Sequence, residues 1–413
     1  MKPNLPHAPS ARRAAPNRAL WMSTLAFTVC FAVWTIFSII GIRIKQQLGL
    51  SETQFGLLVG TPILTGSLVR IVLGVWTSRY GGRVVFTATM VAAAAATFLL
   101  AYAQTYVQML IAGLGVGIAG GSFAVGIAYV SPFFSKEKQG TALGIFGAGN
   151  VGAAVTKFLA PFVLLAWGWQ AVAQIWALVL VAMAVVFWFT TTDAPKPPAS
   201  KSFLEEFAPL KNLQVWRFAL YYFFAFGGFV ALSLWLPRYL VGAYGFPLET
   251  AGMIAAAYSI PGSIFRAFGG VLSDKLGART VMYWTLAVSS AATLLLGLPW
   301  TMSAGLFIVV IFVLGFFMSL GKAAVYKHIP VYYPDNVGAV GGVVGMIGGL
   351  GGFFLPIAFG ALKDATGMWS SCFLLLFALT TLSLVWMHFA IRRLDRSAAA
   401  KPENLPAHAV AAE

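Results

Sequence analysis

The sequence predicts an all-α polytopic membrane protein of 12 transmembrane helices in two pseudo-symmetric six-helix bundles, on three observations. Of 413 residues, 59% are hydrophobic and only 9% charged, with a mean hydropathy of +0.83. No soluble core needs that much apolar sequence. The apolar residues come as successive runs, each long enough for a span of about 20 residues. Two stretches 196 residues apart are also copies of one another. Lipid leaves only helices or closed barrels as ways to satisfy the backbone. These runs lack the alternation of barrel strands and are far too long for them.

Taken in order, residues 1–18, with Pro, Ala and four basic side chains, read as an N-terminal tail. The run from Ala19 is too long for the core of a cleaved leader and reads as a retained span. Spans 1 to 6 are expected at 19–42, 51–77, 84–103, 107–132, 140–165 and 171–191. Spans 7 to 12 are expected at 216–240, 250–273, 280–299, 304–330, 338–362 and 368–391. The intervening stretch 192–215 contains "TDAPKPPASKSFLEEFAPLKN", rich in Pro and charge, and reads as a linker. The domains are thus an N-terminal bundle, 19–191, a cytoplasmic linker, 192–215, a C-terminal bundle, 216–391, and a tail, 392–413. Cys30 and Cys372 both fall in apolar runs and read as reduced thiols.

The formal charge of +15 does not indicate nucleic acid as a partner, because the basic residues sit mostly in loops and tails. With the N-terminus inside, 19 of the 27 lie in cytoplasmic segments and 4 in outside loops. That asymmetry places both termini in the cytoplasm and the chain in the cytoplasmic (inner) membrane. The remaining 4, Arg70, Lys157, Arg266 and Lys322, fall within spans. None of the 12 carboxylates lies in the body of a span.

The internal repeat lays "GSLVRIVLGVWTSRYGGR" (66–83) on "GSIFRAFGGVLSDKLGAR" (262–279), with seven of 18 positions identical. Arg70 on span 2 and Arg266 on span 8 therefore occupy equivalent depths in two related bundles. Repeats of this kind favour alternating access around a site between the halves. A lone Arg at such depth can lift its head to the interface on a long stem. Two matched copies point instead to a cavity and a pathway. Guanidinium forks converging from two halves suit a planar oxyanion, and the lack of intramembrane acids leaves the substrate as their counter-ion. "GGVLSDKLGAR" resembles the loop motif of the major facilitator superfamily through Gly270, Asp274, Lys275, Gly277 and Arg279. The first-half copy departs from that motif, with Ser78 where the acid belongs.

Glycine is dense in two spans: "GTALGIFGAGNVGAAVTKFLAP" on span 5 and "GAVGGVVGMIGGLGGFFLPIAFG" on span 11. Spacings of three and four make a small-residue strip, which by itself indicates close helix packing. Joined to one Arg on each of spans 2 and 8, the segments "GAGNVGAAVTKFLAP" and "GGLGGFFLP" resemble the nitrate/nitrite porter family over nearly the whole chain. That resemblance implies that Arg70 and Arg266 hold the anion, nitrate or nitrite, and that Asn150 donates a side-chain hydrogen bond. It implies an aromatic wall of Phe31, Phe123, Tyr222 and Phe226. The signature glycines Gly149, Gly152, Gly348, Gly349, Gly351 and Gly352 would let spans 5 and 11 slide. No cofactor, metal or catalytic residue is implied, and the expected state is a monomer in contact with membrane lipid.

Two Arg and one monovalent anion leave a net positive charge. Either nitrate exchanges for nitrite, or a proton is carried elsewhere in symport. Lys157 on span 5 and Lys322 inside span 10 are the candidate proton carriers, since a buried ammonium, unlike a guanidinium, can release its proton. Each also has a plain alternative as a snorkelling or carbonyl-bonded side chain. "TKFLAP" and "GKAAVYKHIPVYYP" are similar to the proton-symporting branch of the family, which favours symport over obligatory antiport. An organic-phosphate exchanger is disfavoured because its resemblance would place Arg on spans 1 and 7. A membrane enzyme is disfavoured because no His, Cys or carboxylate cluster falls in the spans.

Overall fold

The computed structural model describes residues 11–193, 211–298, 302–333 and 337–400. Most of the expected linker and the outer parts of both tails lie outside the described residues. Among those described, 11 helices are long and apolar enough to cross a membrane: Pro16–Leu48 (span 1), Glu52–Thr77 (span 2), Gly82–Leu100 (span 3), Tyr106–Phe133 (span 4), Thr141–Trp167 (span 5), Trp169–Thr190 (span 6), Leu213–Tyr244 (span 7), Ala278–Gly297 (span 9), Ala304–Ile329 (span 10), Val340–Thr366 (span 11) and Ser371–Arg393 (span 12). The twelfth crossing, span 8, runs as Leu248–Ile264 and Arg266–Leu276, broken at Phe265. The architecture is the expected pair of six-helix bundles. Spans 1 and 7 reach several residues further than the apolar runs suggested, and span 1 thereby carries Arg43 and Lys45 on helix rather than in a loop. Both cysteines are buried and unpaired.

Local chemistry sets the helix ends. Gly49 closes span 1 in the left-handed conformation (φ 64°), open to a residue without Cβ. Two residues on, Ser51 and Gln54 form a reciprocal capping box that starts span 2. The chain thus reverses within three residues. The end where span 1 begins and span 12 finishes is the terminal end, and the opposite one the distal end.

Several helices leave α geometry at mid-depth. Span 1 unwinds at Thr35–Ile36, span 4 tightens to 3₁₀ at Gly117–Gly121, and span 5 does so at Ala148–Val151. Span 7 widens to a π turn at Phe223–Gly228. Irregular backbone at membrane depth is tolerated only where protein surrounds it, and such turns mark functional positions. These interruptions flank Trp34, Phe123, Asn150, Tyr222 and Arg266.

The halves are sealed at the distal end. Gly56 packs on the Pro356 carbonyl, Gly360 on the Glu52 carbonyl and Gly252 on the Lys157 carbonyl, each so closely that a Cβ would overlap. Glu52 pairs with Arg238 across the halves through both carboxylate oxygens and with Lys45 at 3.4 Å. Asp364 accepts from the backbone N–H of Glu52 (3.1 Å) and of Thr53 (2.8 Å) and from the Thr53 hydroxyl (2.5 Å). Toward the terminal end the fit loosens: a Cβ on Gly144 would meet Ala267 only at 3.8 Å, and one on Gly270 or Gly342 would meet nothing within 4 Å.

Candidate functional site

Arg70 is buried at the centre of the molecule. Its guanidinium carbon lies 5.7 Å from the Trp34 ring centre, 5.4 Å from Phe123 and 5.3 Å from Phe226. These rings come from spans 1, 4 and 7, so both halves wall the cation. Each ring offers its quadrupole to the charge. Nη1 donates to the Gly345 carbonyl of span 11 at 3.2 Å, while Nε has no partner. Arg266, released at the break in span 8, faces the same Phe123 ring at 5.5 Å and the Tyr326 ring at 5.8 Å. Phe123 is thus the common floor under two guanidinium groups from opposite halves.

The polar deficit is concentrated here. Among the described residues, 12 buried side-chain N and O atoms lack a hydrogen-bond partner. Six of them belong to Ser67, Arg70, Asn150, Tyr222 and Arg266. Buried polar atoms are nearly always paired, and half of the unpaired ones fall on these five residues. Asn150 leaves both its amide N and O unpaired. The Tyr222 ring stacks on Phe226 at 5.2 Å and meets Tyr326 edge-on at 4.9 Å, which brings its hydroxyl into the same cage. No carboxylate pairs with either Arg among the described residues. The chemistry on offer is two fixed cations, N–H and O–H donors, and aromatic faces, which suits an oxyanion.

The glycines explain how the guanidiniums fit. Arg70, of the first half, lies beside Gly345 and Gly349 of span 11. A Cβ on Gly349 would sit 3.4 Å from its Nη1. Arg266, of the second half, lies beside Gly147 of span 5, with the corresponding gap to its Nη1 at 3.7 Å. Each Arg therefore crosses the boundary to the glycine strip of the other half. The repeat spacing extends to these strips: Gly149 and Gly152 fall on Gly345 and Gly348, but Asn150 falls on Met346. The remaining signature glycines make close helix contacts. Gly149 packs on Phe27, Gly152 on the Thr28 carbonyl, Gly348 on the Tyr222 ring, Gly351 on the Phe223 carbonyl, and Gly352 between Ile63 and Val230.

The structure gathers Arg70, Arg266, Phe123, Tyr222 and Phe226 at one place, buries Asn150 three residues beyond the Gly147 that borders Arg266, and puts Phe31 one ring behind, against Trp34 at 5.1 Å. Lys157 lies deeper toward the distal end, fully buried, donating to the Ala153 carbonyl (3.0 Å) and to Ser233 Oγ of span 7 (2.7 Å). Ser233 is in turn 3.1 Å from Ser259 of span 8. Lys322 donates to the Gly262 carbonyl at 2.7 Å, and its Nζ lies 3.2 Å from the Phe229 ring centre. The loop-motif residues stand apart at the terminal end. There Asp274 pairs with Lys327, Arg279 donates to Tyr332 at 3.0 Å, Lys275 is exposed, and Gly277 turns the chain (φ 82°) four residues after a packed Ser273. Gly270 faces open space, and the Ser78 side chain lies outside what is described. Trp34, Ser67 and Tyr326 are site residues that sequence reasoning missed. Only Ser67 carried a signal, as the residue opening the repeat beside Gly66.

The Major Facilitator Superfamily model matches residues 22–256 and 239–412. A probable nitrate/nitrite antiporter, NarK1, of Thermus thermophilus is 43% identical, with 94% of each chain covered. A nitrite extrusion protein of Bacillus subtilis is 30% identical over 90% of this chain and 95% of that one. A probable nitrate transporter, NarT, of Staphylococcus haemolyticus is 31% identical over 89% and 95%. Among solved structures, a bacterial homolog of the human lysosomal transporter Spinster, inward-facing and unoccupied, superposes with a TM-score of 0.73 at 17% identity, covering 93% of this chain and 98% of that one. At that identity it speaks for the fold alone. Two cationic spans facing one aromatic floor, two glycine strips and full-length relatives agree: the chain is a transporter of the major facilitator superfamily and belongs to its nitrate/nitrite porter family.

Proposed function

We propose that this chain carries nitrate, and also nitrite, across the cytoplasmic membrane by alternating access between its two bundles, 19–191 and 216–391, as a monomer with both termini cytoplasmic. The observation that carries the reading is the pair Arg70 and Arg266, from opposite halves over one Phe123 ring, without a carboxylate beside them. Nitrate is planar, singly charged and a weak hydrogen-bond acceptor, so guanidinium forks between aromatic faces are an adequate replacement for its water. The oxyanion is the missing counter-ion, held by Arg70 and Arg266, with Asn150 and Tyr222 donating to it and Phe226 and Phe123 above and below. The glycines of spans 5 and 11 are the sliding surfaces. The preferred mode is symport with a proton, carried by Lys157 or Lys322. Support for it comes from two buried lysines, Lys157 bonded across the halves to Ser233 and Lys322 held within the second half on the Gly262 carbonyl, and from no acid beside the two Arg among the described residues. Exchange of nitrate for nitrite is the second reading, favoured by the 43% identity to a probable nitrate/nitrite antiporter.

Proteoliposome uptake separates these. Nitrate uptake should rise with an acid-outside gradient and proceed without internal nitrite. Uptake that demands internal nitrite and ignores the gradient would overturn symport and leave exchange. Arg70→Lys and Arg266→Lys should each abolish nitrate binding, because an ammonium cannot reproduce the planar fork. Unaltered binding in either variant removes that Arg from the site.

A further inference from the structure

Ser67 stands three residues before Arg70 on span 2, so the two side chains leave the same helix face. Its hydroxyl is fully buried and unpartnered among the described residues. Thr61 and Thr77 of the same span, and Ser273 of span 8, by contrast return their protons to the carbonyl four residues back. On span 11, a Cβ at Gly349 would come 2.5 Å from Ser67 Oγ and 3.4 Å from Arg70 Nη1. The hydroxyl and the guanidinium thus border one glycine.

The repeat supplies an internal comparison. Ser67 opens the first copy and Ser263 the second, at the same spacing from Arg70 and Arg266. Ser263 donates to the Ser259 carbonyl at 2.7 Å. One serine is satisfied by its own helix, and its twin is left open beside the cation.

We infer that Ser67 is a direct donor to the transported anion and a determinant of the preference for nitrate over nitrite. The inference rests on the reading of this cage as an oxyanion site. Its Oγ–H binds an oxygen of the anion that Arg70 holds. Nitrate has three oxygens in one plane, and nitrite has two. The N–H groups of Arg70, Arg266 and Asn150 serve the pair of oxygens common to both ions, and the Ser67 hydroxyl serves the third. With nitrite bound, the hydroxyl returns to its unpaired state, so its removal costs nitrite little.

The test is isothermal titration of the purified, full-length protein with sodium nitrate and with sodium nitrite, for wild type, Ser67→Ala, Ser67→Cys and Ser263→Ala. Ser67→Ala should weaken nitrate by about tenfold, the scale of one hydrogen bond to a charged acceptor, and leave nitrite within about twofold. Ser67→Cys, which keeps the shape with a poorer donor, should fall between. Ser263→Ala should leave both affinities in place. Unchanged nitrate affinity in Ser67→Ala overturns the inference. Equal weakening of both anions overturns it too, since that is the mark of a packing defect. A wild-type protein that binds neither anion would sink the oxyanion reading itself, which the wild-type titration reports separately.

Discussion

Lys157 donates once within its own helix and once to Ser233 in the other half. A bond across the boundary exists only while the halves are apposed at that depth, so the charge state of Lys157 and the conformation of the molecule are linked. Gln in its place keeps a donor and removes the proton. Lys157→Gln should still move nitrate down its own gradient, while the pH change that accompanies uptake falls toward zero on a pH-sensitive dye. An unchanged pH signal takes Lys157 out of the coupling. Arg70, Arg266 and Lys157 were legible in the sequence because each is an expensive residue in an apolar run, whereas Asn150 came only with the family resemblance. Trp34 and Tyr326 were not legible. They are drawn from 13 Trp and 13 Tyr, and an aromatic ring in a span costs nothing wherever it points. Only the packing of the spans says which rings meet the guanidiniums.

The spans themselves were readable to within a few residues, since length and apolarity are local properties. Their interruptions were not. The π turn of span 7, the 3₁₀ turn of span 5 and the break at Phe265 arise from how neighbouring helices press on them, and no residue type announces them. The glycine strips were half legible: the spacing foretold close packing, but not that each strip would seat the Arg of the opposite half. Close packing also makes a prediction at this scale. Gly252 admits span 8 onto the Lys157 carbonyl with no room for a Cβ. Gly252→Leu therefore has to part spans 5 and 8 at the distal end. Overpacking of this kind costs on the order of 1–3 kcal/mol. The variant should lower the unfolding midpoint and expose a thiol placed at Ala256, buried one turn along span 8, to a water-soluble maleimide. A thiol as protected as in the parent would show that the contact is not part of the seal.

Across the whole molecule, the distal seal is ionic as well as apolar. Glu52 on the first half meets Arg238 on the second, and Asp364 caps the start of span 2 from across the gap. Removing one partner of such a pair costs about 2 kcal/mol, roughly thirtyfold in a conformational equilibrium. Glu52→Gln should thus shift spin-label distances across the distal end toward the open form, and the exchange Glu52→Arg with Arg238→Glu should restore the parent distribution. Distances unmoved in Glu52→Gln would show that apolar contact alone holds this end shut.

The crossing of each Arg into the other half bears on ancestry as well as on gating. A single half-length chain pairing with a copy of itself would already own two guanidiniums, each reaching the partner's glycine-rich span, although the seats now differ in register: Gly147 falls on Val343 and Gly349 on Ala153. What such a symmetric pair could not own is a difference between its two faces, and a three-oxygen anion on a two-fold axis would have no reason to lie one way rather than another. Asn150 opposite Met346, and an open Ser67 opposite a tethered Ser263, are where the two faces now differ. Duplication into one chain made those differences heritable, and with them a preferred orientation for the passenger.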